Sequence, residues 1–132
     1  MELNTPYAFG KTVDMPYAET ERKVRQELTK EGFGIINEID FRKKFEEKLQ
    51  KEFRNYIVLG VCNASLAYDA LGIEVNLGAL LPCNVIVYSR DDGKTAVMVM
   101  DPVEVLGMIG NPKVREQASI LAEKMRRVIA AI

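Results

Sequence analysis

The 132-residue sequence predicts one α+β domain, a mostly antiparallel curved sheet with a long C-terminal helix across one face. Three observations lead there. Val114, Ala118, Leu121, Met125, Val128 and Ile132 recur in alternating steps of four and three, the signature of one apolar helical stripe. Apolar runs of strand length, YIVLGVC, NVIVYSR and KTAVMVM, crowd the middle of the chain. The order strand, helix, strand, helix, strand, short helix, hairpin, long helix lacks the regular alternation of parallel βαβ units. No repeat, low-complexity tract or linker divides the chain, so residues 1 to 132 are expected to form a single domain.

The elements follow in turn. LNTPYAFGKTV, residues 3 to 13, is expected as a first strand, near an edge because Pro6 and Gly10 interrupt it. Asp14 offers an N-cap carboxylate, and Pro16 is tolerated in a first helical turn, where an N–H has no partner. Tyr17, Val24 and Leu28 form a sparse stripe in a charged helix that stops at Gly32. In GFGIINEID, Phe33, Ile35 and Ile39 alternate with polar or small residues, as in a half-buried strand. Asp40 then caps a helix with Phe41, Phe45 and Leu49 on one face.

The charged run FRKKFEEKLQKEFR in that helix interleaves acids with bases, with Lys43–Glu47 and Glu47–Lys51 one turn apart. A solvated amphipathic face is expected, with partner binding as the competing use. YIVLGVC is apolar throughout and predicts a strand buried on both faces. Asn63 caps a short helix, ASLAYDAL, ended by Gly72, and IEVNLGALLP is loop or irregular helix. NVIVYSR and KTAVMVM are strands joined through DDG, where Asp-Gly supplies positive φ. Asp101-Pro102 opens a short helical turn and Asn111-Pro112 the last helix. At about 1.5 Å per residue that helix runs about 30 Å, enough to cross four to six strands about 4.8 Å apart.

Composition excludes several functions. The net charge of −1 and pI of about 5.6 give no basic footprint, so nucleic acid is not an expected partner. No apolar run approaches the roughly 20 residues needed to span a bilayer, and MELNTPYAFGK lacks the order of a signal peptide. A cytoplasmic location and free thiols follow as expectations. The chain has no histidine, which removes Ser-His-Asp and Cys-His catalysis and every imidazole metal site. DGKT is not a phosphate-binding loop, because Tyr88 stands where that motif needs glycine. GFG lacks the rest of a dinucleotide fingerprint, and Ser65 in NASLA is no nucleophile elbow. Asp91 and Asp92 are too few ligands for a calcium loop.

What chemistry remains concentrates on two Cys-Asn steps, Cys62-Asn63 and Cys83-Asn84. If YIVLGVC and NVIVY are antiparallel neighbours, the two cysteines meet where one strand ends and the other begins. Cys62 then lies just before a helix N-terminus, a setting that favours thiolate. Three uses compete: small buried hydrophobes, a ligand or redox site, and a closed thiolate metal site, for which two sulfurs are too few. The candidate ligand-binding set is Cys62, Asn63, Cys83 and Asn84, with Tyr68 and Met100 nearby. No metal or cofactor is expected.

The blocks VLGVCN, SLAY-D-AL, LGALLPCN and VMDP occur in an order that closely resembles the domain of unknown function 302 family of small prokaryotic proteins. The resemblance runs from the helix after Asp14 to the final helix, departing where the family continues Asn-Pro and this chain has Asn63-Ala64. It implies a TATA-binding-protein-like α+β fold, β-α-β4-α with extra short helices, and a homodimer, but no agreed activity. The function expected first is a small-ligand binding or sensing domain with the paired Cys-Asn site. The alternatives are a thiol-dependent redox enzyme using Cys62, activated by Lys94 or Arg90, and an interaction homodimer with no small-molecule site.

Overall fold

The computed structural model describes residues 1–132. The N-terminal segment folds as a hairpin and not as one strand: β1 (Glu2–Asn4) and β2 (Ala8–Val13) pair antiparallel around a bend containing Pro6. Proline has no N–H to give a ladder, so the chain reverses there instead of extending. β2 is consequently an interior strand, and β1 takes the edge. Gly10 of β2 lies so close to β6 that a β-carbon would collide with the backbone of Val97 and Met98.

Helix α1 (Tyr17–Lys30) starts two residues later than expected, with Pro16 as its cap and no side chain bonding the free N–H groups. Asp14 lies outside the helix and instead approaches Lys94, at 3.7 Å. Val24 and Leu28 are fully buried, and Gly32 takes φ +84° beyond the helix end. Glu27 is buried on the same helix, held by Lys30 at 2.8 Å and Lys23 at 3.2 Å. Those two ammonium groups, Lys30 first, hold its carboxyl below the usual glutamate range.

Strand β3 (Gly34–Asp40) is the other edge, and a bulge between Ile35 and Asn37 breaks its alternation. Ile35 therefore faces the core opposite Val61, while Ile39 pairs with Val58 and is exposed. The single apolar face expected for Phe33, Ile35 and Ile39 is thus divided. Asp40 caps α2 (Phe41–Leu49) by accepting from the Lys43 N–H at 3.1 Å. Phe41 and Phe45 join Phe53, Tyr56 and Tyr88 in an aromatic cluster, but Leu49 is exposed. The chain turns at Gln50 in the left-handed region, so Lys51 leaves the helix and the pair with Glu47 does not form; nor does Lys43–Glu47.

Strand β4 (Tyr56–Cys62) leads into α3 (Ala64–Ile73), whose cap Asn63 accepts from the Leu66 N–H at 3.3 Å. Gly72 does not end the helix, which runs on to Ile73 before a 3₁₀ segment at Val75–Leu80. β5 (Cys83–Ser89) and β6 (Thr95–Met100) form the expected hairpin, with only Gly93 at positive φ, +83°. Asp91 and Asp92 pair with Arg54 and Arg90, as a solvated turn would. α4 (Pro102–Leu106) is capped by Asp101, and α5 (Pro112–Ala130) by Asn111.

All strands join one antiparallel sheet in the order β1-β2-β6-β5-β4-β3. One face carries Phe9, Leu59, Val85 and Val97 against Val24 and Leu28 of α1 and the stripe of α5, forming the core. α5 spans that face: Val114 and Leu121 lie near Val61 and Cys83, and Arg126 stacks over Phe9 of β2 at 4.2 Å. Val114, Ala118, Met125 and Val128 are buried as the stripe requires. The architecture is the expected α+β one, and the element order β-α-β4-α is met once the first strand is counted as a hairpin.

Candidate functional site

The site is a cavity of about 260 Å³ at one end of the sheet, beside the end of β4 and the start of β5 and under the neighbouring helices. Val61 and Cys83 form its floor, Leu66 and Ala70 of α3 one wall, and Val114 and Leu121 of α5 another. Ile36, displaced outward by the β3 bulge, and Leu71 stand at its rim, both exposed. The cavity lies here because α3 and the 3₁₀ segment fill the excursion between two adjacent strands, without packing flat on the sheet.

Cys62 and Cys83 both line this cavity. The antiparallel register puts Cys83 directly across from Val61, the residue before Cys62. Cys83 is buried within the core cluster, and Cys62 is partly exposed. Burial, and then the neighbouring Cys62, push the Cys83 thiol up to about 11, so it is neutral and unreactive near pH 7. Asn63 also lines the cavity, but its oxygen is committed to capping α3.

The other expected site residues lie elsewhere. Asn84 pairs with Gly60 on the opposite face of the sheet, where it shares a shallow apolar depression with Met100, Ile86 and Tyr7. Cys83 and Asn84, successive residues of β5, point to opposite faces of the sheet, so Asn84 does not join Cys83 in the cavity. Tyr68 is 81% exposed on the outer side of α3 and lines neither depression nor cavity. Arg90 and Lys94 flank the β5–β6 turn, at the end of β5 far from Cys83. They pair with Asp92 and Asp14, so neither activates Cys62. No cation lines the cavity, and no cluster of three metal-ligating side chains occurs anywhere in the chain.

One residue of the site was not anticipated. Gln117 of α5 lines the cavity, and its Oε1 is buried without a hydrogen-bond partner. Its place was legible, since it falls three residues after Val114 and four before Leu121, a polar residue on an apolar stripe. With Asn63 it is the only polar side chain of the lining.

The model of the family described as "Domain of unknown function DUF302" matches residues 9–132. The chain belongs to that family. A solved structure, of an uncharacterized conserved DUF302 protein from Bacillus stearothermophilus, matches with a TM-score of 0.88 and 25% identity. The match covers 95% of this chain and 97% of that one. No curated protein matches. The family assigns a fold and no activity, so chemistry has to be argued from the cavity. No helix is long and apolar enough to cross a membrane.

Proposed function

We propose that the domain binds a small, largely apolar molecule in the cavity between α3, α5 and the ends of β4 and β5. The lining supports this most: leucines, valines, alanines and two cysteines, with Asn63 already hydrogen-bonded and only Gln117 unsatisfied. Water held there would find too few partners to make its usual three hydrogen bonds. Water filling this open-rimmed space lies against mostly apolar side chains, which is unfavourable. An apolar occupant offsets that cost.

Scaling from a 150 Å³ apolar cavity that accepts benzene, the space suits an occupant of roughly ten non-hydrogen atoms. At about −0.6 kcal/mol per atom the dissociation constant falls on the order of tens of micromolar. Naphthalene has the right size and reports its environment by fluorescence. Saturable binding that slows thiol-reagent attack on Cys62 is the expected result. Cys62 modified at one rate with and without naphthalene would contradict the proposal.

A further inference from the structure

The sheet has a second face, turned away from α1 and α5, and it carries no charge. Strand alternation places Tyr56 and Val58 of β4, Ile86 and Tyr88 of β5, and Met98 and Met100 of β6 on it. The edge strands add Leu3, opposite Gly10, and Ile39, opposite Val58. The only charged residues within the six strands are Glu2, Lys11, Glu38 and Asp40. Glu2 and Lys11 stand in register with Val97, Glu38 with Leu59 and Asp40 with Ile57, so all four belong to the core side. An antiparallel sheet with one face in water alternates to polar residues on that face, and this one does not.

We infer that a second copy of this chain covers the face, in a two-fold dimer with the sheets packed together. Six strands about 4.8 Å apart and about six residues long, at about 3.3 Å each, give about 600 Å² in plan. That matches the largest apolar patches monomers expose, about 300–600 Å², and with α2 added it approaches the roughly 800 Å² each partner buries in a standard interface. Shape selects a second copy over another partner. At one end of the face, Phe41 of α2 and Phe53 pack on Tyr56, which stacks on Tyr88, while Leu49 and Phe53 stay exposed. At the other end, Tyr7, Asn84, Ile86 and Met100 frame the shallow apolar depression. A projection at one end and a hollow at the other make the face self-complementary. A two-fold axis through its middle brings the α2 end of each copy to the depression of the other, so both matches form at once. The cavity lies on the helix side of the sheet, apart from this face.

Sedimentation equilibrium of the full chain tests the dimer. The wild type is expected at twice its 14.9 kDa at micromolar concentration. Ile86→Lys sets an ammonium group in the middle of the apolar face and should raise the dimer dissociation constant by about a hundred-fold or more. Leu49→Lys, at the exposed end of α2, alters no strand and should raise it by about ten-fold or more. Val75→Lys, at an exposed apolar residue outside the face, should leave the dimer intact. Circular dichroism checks the fold of each variant, and if Ile86→Lys does not fold, Leu49→Lys decides the outcome alone. A wild type that stays monomeric would overturn the assignment. So would a folded Ile86→Lys or Leu49→Lys that dimerises as tightly as wild type, or a Val75→Lys that dissociates as readily as they do.

Discussion

Replacing Cys83 by serine separates a buried apolar role from a reactive one. Cys83 is 4% exposed and belongs to the core cluster beside Val61. A serine hydroxyl there replaces a weakly polar thiol and needs a hydrogen bond that the apolar surroundings do not offer. The cost of such an unsatisfied group is about 1–3 kcal/mol. With a urea slope of about 2 kcal/mol/M for a domain of this size, the unfolding midpoint should drop by about 1 M. Cys83→Val keeps the site apolar and nearly fills the same volume, so its midpoint should stay close to wild type. Cys62→Ser, at a partly exposed position, should shift stability by no more than about 0.5 kcal/mol. Urea denaturation of the variants, followed by circular dichroism, reads all of this. A Cys83→Ser midpoint equal to wild type would refute the reasoning.

Two further outcomes follow from the fold. Gly10→Ala forces a β-carbon into the backbone of Val97 and Met98, which cannot yield without parting β2 from β6. A loss of about 3 kcal/mol and a melting point lower by about 10 °C are expected, against little change for Gly107→Ala, where nothing lies within 4 Å. Glu27 has a folded carboxyl held below its unfolded value by Lys30 and Lys23. Its contribution is therefore present above the ordinary glutamate range and lost as pH falls through the folded value. Acid titration should show wild type losing stability relative to Glu27→Gln below about pH 4.5, and parallel curves for the two would contradict the ion-pair assignment.

The antiparallel strands and the last helix were legible because their patterns are local. Period-two and period-3.6 apolar spacing respond to one buried face, and the α5 stripe is buried as its spacing demanded. The caps at Asp40, Asn63, Asp101 and Asn111 were legible for the same reason: each side chain reaches only its own first turn. The bulge at Ile36 was not, because an inserted residue is defined by its partner strand and leaves no mark in its own spacing. Nor was the hairpin at Pro6, which a single proline in an apolar run does not distinguish from an interrupted edge strand.

The candidate site was half legible. The pairing of β4 with β5 was legible in the order of elements, and it sets Cys83 across from Val61 with Cys62 next in the chain. Asn84 was misplaced because strand alternation sends successive residues to opposite faces, and this applies to the Cys83-Asn84 step. Gln117 carried a signal, a polar break in an apolar stripe, whose meaning depends on α3 standing off the sheet to leave room beside it.

The proposed cavity is tested most directly by titrating naphthalene into the wild type and Ala70→Phe side by side. Ala70 is buried on the wall of α3, and a phenyl ring at that position occupies the space a ligand would take. The account predicts one saturable site on the wild type, with a dissociation constant on the order of tens of micromolar, and none on a folded Ala70→Phe. Equal binding by the two proteins, or none by the wild type, would contradict it.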